Sequence, residues 1–397
     1  MKILLVQDHL RAGGAARAAG RWAQLLRGAG HTVTQAAGDE DGSGAIQLSG
    51  KPPRGIGRLV ELIAGRQGFR ARRLARQFHQ LLGSAPWDAV WFHNLAGGEK
   101  WGWAASMIPQ ARERAATVWT LHDMWALGSG KESYWQGEES PAESGKGQGS
   151  AGGKREGEIS KTSRVEEVFR AGGKFPVTVT APSGWLAEVT RRITGHGCIH
   201  LPNPMDLDLF GPGDQPLARK QLGLPETGLV VLAGADSLAD PRKGFDLLLG
   251  AWEQVRPAHA TLALFGRHGN AKPGQVYLGN LDSDARMAAA YRAAELYVHP
   301  ARMENAPCTV QEALACGTPV LAFAVGGIPE MITHSKNGFL AKEVSAASLQ
   351  EALALALADP SRLGSMRIEC RRSAEKIWNP KKLRRQLEEA ACSGPGR

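Results

Sequence analysis

The sequence predicts an α/β protein built from two doubly wound parallel sheets, and three observations predict it. Short apolar runs alternate with helical stretches along the chain, the signature of repeated strand–helix units. The runs are too many for one compact sheet. Proline and glycine punctuate the middle, at Leu201-Pro202-Asn203-Pro204 and Gly211-Pro212-Gly213. At roughly 100–200 residues per domain, 397 residues suit two domains as the simplest count. The break is placed near 195–215. It gives a first lobe over 1–200 and a second over 201–376, with a cleft between them. A last helix over 377–397 either crosses back to the first lobe or stays with the second.

The elements follow in order. Residues 3–6, Ile-Leu-Leu-Val, read as the first strand; the apolar stretch is too short and too soon polar for a signal peptide. Apolar spacing of three and four makes 15–27 a helix. The runs at 89–92, 117–121 and 177–181 complete the strands of the first lobe. Those at 229–233, 261–265, 296–298 and 320–323 belong to the second, with helices over 285–294 and 349–357. The segment 128–163, rich in Gly, Ser and Lys, offers few apolar side chains to bury. It reads as a flexible insertion, either a mobile lid or a loop without a role.

Composition narrows the class. Hydrophobic residues at 43% and charged residues at 22% describe an ordinary soluble globular protein. No apolar run reaches the roughly 18 residues a membrane-spanning helix needs. Five cysteines without a CxxC pair suit reduced thiols in the cytoplasm, not a disulfide framework. Charge is uneven: 1–200 hold 26 basic and 18 acidic side chains, 201–397 hold 22 and 21. Most of the excess lies in 51–76, where eight basic residues face Glu61 alone. Ile56, Leu59, Val60, Leu62, Ile63, Phe69, Leu74 and Phe78 stand among these arginines. The stretch is either a basic amphipathic segment for an anionic membrane surface or a solvated helix packed on its lobe. No stacking aromatics interleave with the basic residues, which sets nucleic acid aside as a partner.

Ligands of parallel α/β sheets bind at the carboxyl ends of the strands. After the first strand comes Gly13-Gly14, either a close backbone approach to an anion at a helix start or a plain tight turn. The spacing is not GxGxxG, which disfavours a dinucleotide oxidoreductase. His93-Asn94 and His122-Asp123, followed by Trp125, end two further strands and suggest a polar floor. In the second lobe Arg242-Lys243-Gly244 follows a strand, as phosphate neutralisation requires, or is a solvated basic turn. Glu304 and Glu312 stand eight positions apart. A helix starting near Thr309 puts Glu304 on the loop before it and Glu312 in its first turn. The amides of Cys308, Thr309 and Val310 are then free for phosphate oxygens, with Pro307 losing nothing. Thr309-x-x-Glu312 is equally a capping box, which gives Glu312 a purely local role. Asp282-Ser283-Asp284 reads as a helix cap, and no Asp-x-Asp at a strand end offers a metal site.

These residues resemble a known family. Glu304 through Glu312 with Ala313-Leu314-Ala315-Cys316-Gly317-Thr318-Pro319-Val320 and Gly326-Gly327-Ile328-Pro329-Glu330 is similar to the E-x7-E region of GT4 (group 1) retaining glycosyltransferases of bacterial polysaccharide biosynthesis. Gly13-Gly14, Trp119-Thr120-Leu121-His122-Asp123-Met124-Trp125, Ala181-Pro182-Ser183, Leu201-Pro202-Asn203-Pro204 and Arg242-Lys243-Gly244 agree in order. The resemblance implies the GT-B fold, two Rossmann-like lobes facing across a cleft. The implied activity is sugar transfer from a UDP- or GDP-linked donor to a glycan or lipid-linked acceptor in cell-surface polysaccharide biosynthesis. Another GT-B enzyme, such as a sugar-nucleotide epimerase, is the alternative.

The implied catalytic residues are His122, Glu304 and Lys243. Gly13, Gly14, Arg242, Lys243, Cys308, Thr309, Val310 and Glu312 are expected on the donor nucleotide, with Glu312 on the ribose. His93, Asn94, Asp123 and Trp125 are expected on the acceptor side. No cofactor and no metal are expected, because the nucleotide sugar is a substrate. The expected location is the cytoplasm, at the inner face of the membrane. Two departures stand out. Gly234-Ala235-Asp236-Ser237 lacks the arginine that relatives often carry there, with Arg242 as its substitute. Ala126-Leu127-Gly128-Ser129-Gly130-Lys131 replaces a Gly-Gly-Cys-His continuation.

Overall fold

The structure is a computed structural model describing residues 1–10, 13–39, 44–49, 66–95, 105–128 and 163–392. The chain divides into two compact units, Met1–Pro202 with Leu383–Arg397, and Asn203–Lys382.

Unit 1 holds seven strands in the order β3-β2-β1-β4-β5-β6-β7, all parallel. They are β1 Lys2–Gln7, β2 Thr32–Ala37, β3 Ile46–Gln47, β4 Ala89–His93, β5 Ala116–Thr120, β6 Val177–Ala181 and β7 Cys198–His200. Helices α1 Gly13–Gly28, α2 Arg66–Gly83, α3 Met107–Arg112, α4 Arg164–Ala171 and α5 Gly184–Thr194 accompany them. Strand alternation sends side chains to two faces. Leu4, Val6, Val90, Phe92 and Trp119 enter one core cluster, which Leu74 and Phe78 of α2 complete. Ile3, Leu5, Trp91 and Val118 enter the opposite cluster, against Trp22 of α1 and Leu383 and Leu387 of the last helix.

Unit 2 holds six parallel strands in the order β10-β9-β8-β11-β12-β13. They are β8 Leu229–Ser237, β9 Ala260–Arg267, β10 Gln275–Tyr277, β11 Leu296–His299, β12 Val320–Phe323 and β13 Gly338–Ala341. Its helices are α6 Gln215–Leu222, α7 Phe245–Val255, α8 Asp284–Ala293, α9 Cys308–Ala315, α10 Ala346–Leu357 and α11 Pro360–Ile377. A final helix, α12 Pro380–Cys392, begins in unit 2 and continues in unit 1. Side-chain caps fix several starts: Asp214 accepts from Leu217 N–H, Ser345 from Ser348 N–H, and Ser283 from Arg286 N–H. The 282–284 stretch therefore caps α8.

Two stretches singled out from sequence fall partly outside the described residues. Of the basic stretch 51–76, residues 51–65 lie outside the described residues, and the remainder enters α2. Leu74 and Phe78 of that helix are fully buried in unit 1, with Phe78 packed 5.8 Å from Phe92. These apolar side chains serve the protein's own core and are not available to a lipid surface. The insertion 128–163 lies outside the described residues except at its ends, where Ser163 caps α4 through Glu166 N–H in a reciprocal capping box. Four cysteines, Cys198, Cys308, Cys316 and Cys370, are free and buried. Burial pushes the Cys198 and Cys316 thiols up to about 12, far from the range in which a thiol reacts.

Candidate active site

In each sheet the strand order reverses at one pair: β1 and β4 in unit 1, β8 and β11 in unit 2. Loops leaving such a pair diverge and leave a crevice at the carboxyl ends. Both crevices carry the residues singled out from sequence.

In unit 2, β8 leads to Asp240, which caps a 3-10 turn over Pro241–Lys243. Gly244 then takes a left-handed φ of 68° and opens α7. A methyl group at Gly244 would lie 1.9 Å from the Pro300 carbonyl oxygen, so only glycine lets the two loops touch. Arg302 fastens the same loops: its N–H donates to Arg242 O at 2.8 Å and its guanidinium to Pro241 O and Asp246. Lys243 is thereby set against the loop after β11, where Nζ donates to Glu304 Oε2 at 2.7 Å. His299, at the end of β11, places Nε2 3.4 Å from the same oxygen. Burial alone would raise the Glu304 carboxyl; Lys243 and His299 outweigh it and hold the group at about 2. Glu304 is therefore an anion beside an ammonium. His299 is itself pushed down, chiefly by burial.

The other expected donor residues are placed differently. Arg242 binds Asp240, 2.7 Å from Nη2 to Oδ2, and is more than half exposed. Helix α9 starts at Cys308 with Pro307 as its N-cap, one residue earlier than expected, and no side chain caps it. Glu312 therefore sits in the second turn, fully buried, and accepts from the Tyr291 hydroxyl at 3.0 Å. The capping-box reading fails for that reason. Val310 N–H is also spent, on Pro307 O at 3.1 Å, so the expectation that it is open to phosphate is corrected. Thr309 directs its hydroxyl toward His299 Nδ1, 3.4 Å away.

In unit 1, Gly13 opens α1 at φ 85°, a conformation that favours glycine, and among the described residues nothing lies within 4 Å of where a side-chain carbon would stand on Gly13 or Gly14. His93 ends β4 and is 1% exposed. Its Nδ1 lies 3.0 Å from Nε2 of His122, which follows β5. Burial pushes His122 down to about 4 and, aided by His122, pushes His93 well below the ordinary histidine range. Both rings are neutral near pH 7. Asn94 adopts φ 63° and offers its carbonyl to Trp119 Nε1 at 3.0 Å. Asp123 Oδ1 accepts from Trp125 N–H at 2.9 Å, and the half-buried Trp125 packs against the core. Within unit 1 the structure joins His93 to His122; within unit 2 it joins Lys243 to Glu304. Sequence reading missed His299, although it directly follows the apolar run at 296–298. Tyr291 and Tyr297 were missed too, being indistinguishable from core aromatics.

Two parallel-sheet α/β units, each with polar side chains at its switch point, define the GT-B class of fold. Solved structures agree. The chain resembles sucrose-phosphate synthase from Thermosynechococcus elongatus with a TM-score of 0.72 at 20% identity, covering 98% of this chain and 97% of that one. It resembles Anabaena HepE, solved with UDP-glucose, with a TM-score of 0.71 at 17% identity, covering 99% and 100%. At such identities the likeness is one of fold. Residues 214–377, within unit 2, match the family described as glycosyl transferases group 1. The D-inositol 3-phosphate glycosyltransferase 1 of Catenulispora acidiphila is 33% identical over 192 residues, 43% of this chain and 46% of that protein. The chain thus spans less than half the length of such curated relatives.

Proposed function

We propose that the protein is a retaining glycosyltransferase that moves a sugar from a UDP- or GDP-linked donor to a glycan or lipid-linked acceptor in cell-surface polysaccharide biosynthesis. The observation that carries the reading is the Lys243–Glu304 pair at the β8/β11 switch point, within a group 1 glycosyltransferase unit. When the bond between sugar and diphosphate breaks, negative charge builds on the leaving phosphate. An ammonium held by its own anion is positioned before substrate arrives, and it needs little reorganisation to meet that charge. In this reading Lys243 stabilises the diphosphate, with Arg242 beside it, and needs no metal or cofactor. Glu304 contacts the donor sugar, and Glu312, buried on the Tyr291 hydroxyl, meets the ribose once the donor opens that contact. Cys308 and Thr309 border the phosphates, and Gly13 and Gly14 let the backbone come close. His122 orients the sugar, and Asn94, Asp123 and Trp125 flank the acceptor. The acceptor hydroxyl attacks from the leaving-group face, with the departing phosphate as base, so the anomeric configuration is kept.

A thermal-shift screen against UDP-, GDP- and ADP-sugars tests the reading. One nucleotide class is expected to raise the melting temperature of the wild type, since a ligand bound to the folded state stabilises it. Lys243→Ala is expected to lose roughly 2–4 kcal/mol of transition-state stabilisation, read as turnover. Full turnover in that variant would remove Lys243 from the mechanism.

In this reading the enzyme works in the cytoplasm and touches an anionic membrane through 51–76. No helix among the described residues is long and apolar enough to cross a membrane. Because α2 spends its apolar face inside unit 1, the contribution of exposed Arg72 and Arg76 is electrostatic. Co-sedimentation with anionic vesicles is expected to fall as salt rises; binding indifferent to salt would contradict it.

A further inference from the structure

The His93 ring is enclosed on the face of unit 1 that α1 and α12 cover. Trp91, two residues earlier on the same face, has its ring 4.7 Å away. The His122 ring centroid lies 5.3 Å away, with an interplanar angle of 29° between the two rings. Two imidazoles whose nitrogens lie 3.0 Å apart share one proton: one ring donates and the other accepts. The rest of the His93 ring decides which. Its Nε2 is buried and meets no partner among the described residues. If His93 were the acceptor, its proton would sit on that nitrogen as an N–H with nothing to receive it. Buried N–H groups without an acceptor are rare, more so than acceptors without a donor.

We infer that His93 is a positioning residue acting through His122: its Nδ1–H donates to His122 Nε2, which places the proton of His122 on Nδ1 and fixes the plane of that ring. The inference rests on the proposed role of His122 at the donor sugar. It withdraws His93 from direct contact with the acceptor. A histidine that orients a hydroxyl acts through one nitrogen in one tautomer, and that tautomer is set by the hydrogen bond its other nitrogen makes. His93 thus determines whether His122 presents a donor or a lone pair to the ligand. His93→Asn keeps an N–H near the place of Nδ1, whereas His93→Leu removes it and preserves bulk and apolarity.

The test uses the full chain labelled with 15N-histidine. In the wild type, His122 is expected to show an acceptor-type Nε2 and a protonated Nδ1 in long-range proton–nitrogen spectra at neutral pH. His93→Leu is expected to give mixed tautomers, and His93→Asn to restore the wild-type pattern. Donor turnover is expected to fall roughly 10- to 100-fold in His93→Leu with little change in donor KM, as misplacement of a reacting partner does, and to recover in His93→Asn. A protonated Nε2 on His122 in the wild type would overturn the inference. So would an unchanged His122 spectrum or unchanged turnover in His93→Leu. If His93→Leu fails to fold, the wild-type spectrum and His93→Asn still decide. A wild type that consumes none of the UDP-, GDP- and ADP-sugars would instead sink the proposed function, and the spectra alone would then judge the tautomer assignment.

Discussion

Lys243, Glu304, His93 and His122 show how burial and pairing divide the work of tuning charge. Glu304 is buried, yet the adjacent ammonium and His299 keep it ionised. His122 lies beside another imidazole, and burial keeps it neutral. Both effects make acid destabilising, and the sign follows from proton counts. An unfolded chain takes up a proton on His122 below the ordinary value of 6.5, whereas the folded chain waits until about 4. Stability from this residue is therefore present above pH 6.5 and lost as pH falls to about 4. Glu304 adds a second loss between 4.5 and about 2. The melting temperature is expected to drop between pH 6.5 and 4, by the equivalent of about 3 kcal/mol for His122 alone. His122→Asn is expected to flatten that limb in a calorimetric pH series, and a flat wild-type profile would contradict the assignment.

Among elements, the joint between α6, the end of α8 and the start of β8 depends on one buried ion pair. Arg219 Nη2 reaches Glu295 Oε1 at 2.6 Å and Oε2 at 2.7 Å, and its Nε donates to Ala293 O. Glu295 in turn accepts the Val230 N–H at 2.7 Å. Removing one partner leaves a largely buried charge uncompensated, so Arg219→Ala is expected to cost about 3–5 kcal/mol. Arg219→Lys is expected to cost less, since it keeps the charge and loses only the fork. Urea unfolding followed in unit 2 measures both. Which elements were legible in the sequence has a physical reason. All eight apolar runs became strands, because central strands of a parallel sheet are buried on both faces. The strands not foreseen are β2, β3, β7, β10 and β13. Four of these lie at sheet edges and β2 lies next to one. Half-exposed edge strands such as Gln275–Tyr277 carry no continuous apolar signal. The site was legible where chemistry sits at strand ends, as for His93, His122, Lys243 and Glu304. It was not legible where one residue of helix phase mattered, as for Glu312, or where the partner was an ordinary-looking tyrosine.

Over the whole molecule, the chain passes between units twice, at Pro202 to Asn203 and at Lys382 to Leu383. Trp378 is still part of the unit 2 core, whereas Leu383 and Leu387 pack with Ile3, Leu5 and Trp22 of unit 1. Leu383→Ala is expected to cost unit 1 about 2–5 kcal/mol, the usual range for a truncated core leucine. Ending the chain after Trp378 is expected to speed hydrogen exchange in β1 and β4 while β8 and β11 keep their protection. Equal loss in both sheets would contradict a contribution confined to unit 1. The returning helix also reverses the usual order of assembly during synthesis, in which the first domain made is the first to fold. Unit 2 is complete once Lys382 has left the ribosome, but the hydrophobic layer under β1 waits for residues translated almost four hundred codons after it. A nascent chain stalled before Leu383 would therefore carry a finished second half and an open first half, exposing Trp22 and Leu5 to chaperones until the last turns of helix emerge.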